Sequence, residues 1–245
     1  MVHKEYKRII EHSRKAVLFI HGIVGTPNHF NAFLPLVPKN ISLYNILLDG
    51  HGGNVRDFSK TSMQKWKQQV TLAVEELAQN HDAIYVVAHS LGALLAIEQA
   101  IYSTKISKLF LLAVPLKLSI KPKMVRNSLK VYFNKIDPKD EELIAAVECY
   151  GVANEKNPFS YIGWIPRFLE LFSQIRYVRG ILKTLQTPTV ACQSCKDEMV
   201  SCKSTMMLEK NPNISVVELK NSGHYYYEKS DFFLLKDAFL NLFSM

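Results

Sequence analysis

The chain has 245 residues, 48% of them hydrophobic and 21% charged, which excludes a disordered or fibrous polymer and suits one α/β domain with a substantial core. No run approaches the roughly 18 apolar residues of a membrane span. Thirty basic against 22 acidic residues give a formal charge of +8, but the cations are scattered rather than grouped with stacking aromatics, so no nucleic-acid groove is expected.

The first eight residues, Met1 to Arg8, are rich in charge, and the apolar stretch Ala16–Ile20 is too short for the core of a secretory leader. A cytoplasmic location is therefore expected. Ala16–Ile20 instead reads as a strand of a sheet covered on both faces. It runs into His21-Gly-Ile-Val-Gly25, then Thr26-Pro27, an N-cap followed by proline at a first helical position. On residue pattern alone this is a glycine-bearing strand–helix turn. Ile41–Leu48 forms another strand, ending in the tight turn Asp49-Gly-His-Gly-Gly53, where Asp49 and His51 read as structural or rim residues. Met63–Ala78 carries Trp66, Val70, Ala73, Val74 and Leu77 at helical spacing and so predicts an amphipathic helix.

The most informative stretch follows. Ile84–Val87 is a short β-branched strand and Leu94–Ala100 a helix of good formers, with only Ala88-His-Ser-Leu-Gly92 between them. Such an abrupt strand-to-helix change forces strained backbone at Ser90. Small residues at 88 and 92 let strand and helix approach, and the Leu91 N–H is left unsatisfied at the helix start. Ile106–Val114 is a further strand, closed by Pro115. From 116 to 185 the composition turns basic and aromatic, with Tyr132, Phe133, Tyr150, Phe159, Tyr161, Trp164, Phe168, Phe172 and Tyr177, and no strand pattern. Lys121, Lys123 and Arg126 in this segment read as solvated surface, with contact to an anionic part of a substrate as the alternative. Pro188–Gln193 and Ile214–Leu219 restore the strand pattern, and an amphipathic helix from Phe232 to Phe243 closes the chain. Strands alternating with helices predict a mostly parallel sheet.

Four cysteines occur, at 149, 192, 195 and 202. Cys192-x-x-Cys195 with Cys202 raises a metal or redox reading, but no second pair or matching histidines follow. Buried or incidental free thiols are expected, and no metal.

The stretch around Ser90 resembles the nucleophile elbow, G-x-S-x-G, of the α/β-hydrolase family, with Ala88 at the first glycine. The resemblance is nearest to carboxylesterases and monoacylglycerol lipase-like serine hydrolases. It implies that His21-Gly22 opens an oxyanion loop, in which Ile23 and Leu91 donate backbone N–H groups while His21, Gly22, Gly25 and Gly92 support the backbone. Asp197-Glu-Met-Val200 is similar to the acid loop of small bacterial carboxylesterases, with Glu198 the rival to Asp197. Asn221-Ser-Gly-His224 would supply the base. Ser90, Asp197 and His224 fall in the order that fold uses, and a serine at the elbow argues against the dehalogenase and epoxide-hydrolase branches. The implied architecture is an α/β-hydrolase core, residues 1–115 and 186–245, with a helical cap, 116–185, inserted after the sixth strand. The implied activity is cleavage of small-molecule carboxylic esters with small apolar acyl groups, without a cofactor. A thioesterase, acyltransferase or peptidase of the same fold, or a non-catalytic binding protein for a small ligand, remain the alternatives. Oligomeric state has no signature in the sequence.

Overall fold

The computed structural model describes residues 3–244. Its strands are Tyr6–Arg8 (β1), Lys15–Ile20 (β2), Ser42–Ile46 (β3), Ala83–His89 (β4), Ile106–Leu112 (β5), Thr189–Ser194 (β6) and Ile214–Leu219 (β7). They form one sheet in the order β1-β3-β2-β4-β5-β6-β7, in which β1 is antiparallel to β3 and every other pair is parallel. The helices are Val55–Lys60 (α1), Met63–Ala78 (α2), Leu91–Tyr102 (α3), Pro122–Tyr132 (α4), Glu141–Cys149 (α5), Ile165–Ile181 (α6), Lys203–Leu208 (α7) and Lys229–Leu240 (α8). Among the described residues, no helix is long and apolar enough to cross a membrane.

The two faces of the sheet are covered differently. Trp66, Val70, Ala73, Val74 and Leu77 of α2 are buried on one face together with most of α3, as the helical spacing predicts. On the other face Phe19, Phe30, Phe33, Phe110 and Phe239 pack ring against ring under α8. β2, β4 and the end of β5 lie between these layers and are almost wholly buried, which is why they read as unbroken apolar runs. β1 escaped the sequence reading because it is three residues long, charged, and sits on the exposed edge.

At the β4–α3 crossing the demand for glycine is steric. A Cβ on Gly92 would overlap the carbonyl oxygen of Ile20 and lie 2.7 Å from that of His21. Because both obstacles are backbone atoms of a central strand end, neither can turn aside. Gly92→Ala is therefore expected to cost about 3 kcal/mol or more, read as a lowered urea midpoint.

Residues 116–185 contain α4, α5, a 3₁₀ segment Pro158–Trp164 and α6. This insertion follows β5, the fifth of the seven described strands, one short of the count implied by the resemblance. It is stitched to the loops at the C-terminal strand ends: Gly151 N–H donates to Val24 O (2.8 Å), Gly52 N–H to Gly151 O (2.6 Å), and Trp164 Nε1 to Val55 O (3.1 Å). The expected boundary at 185 is not a packing boundary. Leu171, Ile175, Val178, Leu182 and Leu185 belong to the main core, where α6 packs beside α3 and α2. Aromatic-rich composition cannot make this distinction, because a sheet-packing helix and a covering helix need the same apolar side chains.

Candidate active site

Because β2 and β4 to β7 run parallel, the segments that follow them emerge at one sheet edge. Ser90 is the first residue after β4, Ile23 lies three beyond β2, Asp197 three beyond β6, and His224 five beyond β7. Long-range positions in the chain thus become neighbours.

Ser90 has φ 53° and ψ −118°, a conformation an L-residue adopts only when its surroundings impose it. They do so here: Ser90 N–H donates to Leu112 O at 2.9 Å, and its carbonyl accepts from Ala93 N–H at 3.0 Å. The Leu91 N–H opens α3 without an intrahelical partner, and the Ile23 N–H makes no backbone hydrogen bond among the described residues. Gly25 N–H donates to Gly22 O at 3.0 Å, closing the turn that presents Ile23. In this turn the positive φ belongs to Val24 (50°), so Gly22 and Gly25 are needed for room. A Cβ on Gly22 would stand 2.9 Å from Ser90 Cβ and 3.1 Å from His89 Nδ1. His21 braces the loop through both ring nitrogens: Nδ1–H donates to Gly22 O (2.9 Å) and Nε2 accepts from Leu48 N–H (3.0 Å).

Asp197 and His224 are joined. His224 Nδ1 donates to Asp197 Oδ2 at 2.8 Å, with both side chains 2% exposed. Asp197 Oδ1 accepts the Met199 and Val200 N–H groups at 2.7 and 2.8 Å, which fixes the carboxylate plane. Glu198 takes a different place: its Oε2 accepts the His224 backbone N–H at 3.0 Å. Burial opposes charge on both members of the pair, but the partner's opposite charge and the hydrogen bond outweigh it. The Asp197 carboxyl lies below its ordinary value and the His224 imidazole above its own. A proton held on Nδ1 leaves Nε2 as the basic nitrogen. Ser90 Oγ and His224 Nε2 make no hydrogen bond among the described residues, to each other or to any other group. The link between their segments runs through His89, whose Nε2 donates to His224 O at 3.0 Å.

A family model described as the alpha/beta hydrolase family matches residues 17–234. The chain belongs to that family. No curated protein matches it in sequence. Among solved structures it is similar to that of LipS and LipT, two metagenome-derived lipolytic enzymes (TM-score 0.74, 16% identity, 97% of each chain covered). It is similar also to a monoacylglycerol lipase from Paleococcus ferrophilus (TM-score 0.70, 16% identity, 99% of this chain and 100% of that one). A third is a soluble variant of monoglyceride lipase from Saccharomyces cerevisiae (TM-score 0.66, 14% identity, 97% and 89%).

This α/β hydrolase encloses a cavity of about 420 Å³ between the insertion and the sheet edge. Its wall is mostly apolar, with Met124, Leu143, Tyr150, Trp164 and Phe168 from the insertion and Ile23, Met199 and Tyr225 from the sheet-edge loops. Glu198 contributes a carboxylate; Tyr225, next to His224, lines the cavity, but Ser90 and His224 are not themselves in the wall.

Two supports of the candidate site were not anticipated. Asp231, buried at the start of α8, accepts from Lys220 N–H (3.0 Å), Asn221 N–H (2.7 Å) and Ser222 Oγ (2.7 Å), tying down the loop that carries His224. An acid immediately before the final predicted helix was the available signal. His29 stacks on His89 with ring centroids 3.8 Å apart, and its Nε2 meets the Tyr227 hydroxyl at 3.0 Å; nothing local in the sequence marks it. The cysteine expectation is corrected in part. Cys195 and Cys202, with Cα atoms 4.8 Å apart, form a disulfide across the Asp197 loop, while Cys149 and Cys192 are buried free thiols. A seven-residue separation turned back on itself by the loop brings the two together, which spacing alone does not reveal. Among the described residues no cluster of potential metal ligands occurs.

Burial also holds His21, His29, His51 and His89 below the ordinary imidazole value, His51 at about 4 and His29 at about 3. In the unfolded chain these groups bind protons near pH 6.5. The stability they contribute is therefore complete above about pH 6.5 and is lost as pH falls towards 4 and 3. His224, raised instead, contributes in the opposite sense, alone against those four and His3, which burial also lowers. The melting temperature is expected to fall steadily from pH 7 to pH 4.5 in thermal scans.

Proposed function

We propose that this hydrolase cleaves carboxylic esters of small apolar acyl groups through a Ser90 acyl-enzyme, with His224 as general base, Asp197 as its orienting acid and residues 116–185 as a cap over the site. The observation that carries the reading is the buried 2.8 Å contact between His224 Nδ1 and Asp197 Oδ2, at the sheet edge where Ser90 occupies a strained elbow. The names of the lipolytic and monoglyceride-lipase structures support an ester as the substrate.

A serine hydroxyl is a weak nucleophile near neutral pH and needs a base within reach. This chemistry requires the Ser90 hydroxyl to reach His224 Nε2 when substrate is bound, as catalytic hydrogen bonds commonly tighten only around substrate. His224 accepts the Oγ proton as Oγ bonds to the ester carbonyl carbon, and the carbonyl oxygen takes up the negative charge. The free Ile23 and Leu91 N–H groups stabilise that oxygen, each by ~3 kcal/mol. Collapse of the tetrahedral species breaks the bond to the alkoxy group, which leaves as alcohol with the proton from His224. Water, deprotonated by the same imidazole, then releases the acid and restores Ser90. The apolar cavity would take the acyl chain, and no step requires a metal or organic cofactor.

Incubation with a fluorophosphonate and peptide mapping provide the test. One covalent adduct on the peptide containing Ser90 is expected, blocked by prior heat denaturation. Hydrolysis of p-nitrophenyl butyrate by protein that takes up no label would overturn the proposal.

A further inference from the structure

We propose that the cavity accepts a positively charged substrate: an ester of a small apolar acid with an alcohol that bears a quaternary ammonium group. This deepens the ester reading and rests on it for the reaction, though not for binding of the cation. A volume of about 420 Å³ suits a whole small ligand rather than a short acyl chain alone, so the wall also meets the alcohol part. That wall is aromatic and of one sign. Tyr132, Tyr150, Tyr161, Trp164, Phe168 and Tyr225 line it; among the described residues Glu198 is its one acid, and no lysine or arginine lines it. The rings reach from the site into the insertion. Tyr225 meets the His224 ring edge-on with centroids 4.8 Å apart, and Tyr161 meets Trp164 likewise at 4.9 Å.

The chain has a formal charge of +8, yet its cations stay out of this wall. Lys121 Nζ donates to Cys195 O (2.8 Å), Lys123 pairs with Glu142, and Lys130 pairs with Asp140 (3.1 Å). Arg126 is absent from the wall as well. The half-buried Glu198 carboxylate forms no salt bridge among the described residues; its Oε2 accepts the His224 N–H. Aromatic faces attract cations, and a quaternary ammonium, which has no N–H groups to satisfy, suits such a cage. A carboxylate beside it adds a Coulomb attraction that grows as water is excluded. A negatively charged substrate would meet Glu198 with no counter-charge, so the same wall rejects anions. Glu198 is tied to the backbone of His224, the residue that gives the departing alcohol its proton, which sets the charge of the wall beside the alcohol part.

Three butyrate esters provide the test: that of choline, that of neohexyl alcohol (its uncharged isostere) and that of γ-hydroxybutyrate, which is anionic. Expected kcat/KM is about tenfold higher for the choline ester than for the neohexyl ester, and about tenfold lower for the anion. Choline is also the better leaving group, so the change of the choline-to-neohexyl ratio in variants decides. Glu198→Gln, whose amide oxygen can still accept the His224 N–H, should lower it about tenfold. Tyr150→Leu should lower it about threefold, and Tyr150→Phe should leave it unchanged. Calorimetric binding of phenyltrimethylammonium to Ser90→Ala reads the site without turnover, and Glu198→Gln or Tyr150→Leu added to it should weaken that binding. A ratio that neither variant moves, or equal turnover of all three esters, would overturn the cation assignment, while hydrolysis of p-nitrophenyl butyrate would still uphold the ester reading. Binding of phenyltrimethylammonium by a protein that hydrolyses none of the esters would overturn the ester, here and above, and uphold the cation site.

Discussion

Ser90→Ala is expected to lower kcat for p-nitrophenyl butyrate by about 10⁶-fold, leaving a residue of catalysis from the N–H donors and binding alone. In the proposed mechanism Oγ is the atom that attacks the acyl carbon, so raising substrate should not restore the rate of a variant that lacks it. The backbone offers a second readout. Because Ser90 is held at positive φ, Ser90→Gly should be equally inactive yet more stable than Ser90→Ala, by about 1 kcal/mol, since glycine alone relieves the strain. Steady-state kinetics and urea melts of the two variants check both halves. A Ser90→Ala protein retaining more than a hundredth of the activity would mean that the nucleophile lies elsewhere.

Asp197→Asn is expected to lower kcat by about 10⁴-fold while Glu198→Gln lowers it less than tenfold. The two acids are adjacent, but they hold different parts of His224. Asp197 accepts the ring proton, so an amide there favours the wrong tautomer and removes the base from Nε2. Glu198 accepts only the backbone N–H, which a glutamine oxygen can also do. The pH profile separates a chemical from a merely structural role. The base must be neutral, so kcat/KM rises with pH through the pKa of His224, which Asp197 lifts above the ordinary imidazole value against the effect of burial. Without the Asp197 charge burial dominates, and the acidic limb should move to lower pH. Rate–pH profiles of the two variants beside the unaltered enzyme measure this directly.

The arrangement also shows why sequence separated these two acids only in part. Asp197 and Glu198 occupy one loop beyond β6, and a slip of one residue exchanges them. What fixes the choice is that Asp197 Oδ1 receives two N–H groups of its own turn, leaving Oδ2 aimed at the ring. That is a property of loop geometry, closed further by the bridge between Cys195 and Cys202.

Local chemistry made much of the rest legible. The buried strands show as apolar runs because both sheet faces are covered, α2 shows as a helix because only one of its sides is buried, and the elbow shows because so few residues separate β4 from α3. These are contacts between near neighbours or averages over a whole face, and periodicity records both. Tertiary structure alone decided the rest: that α6 packs beside α3 and α2, that Asp231 anchors the His224 loop, and that His29 stacks on His89. Each joins side chains far apart along the chain, and the free energy of such contacts depends on where the strands deliver them. No local pattern encodes that delivery.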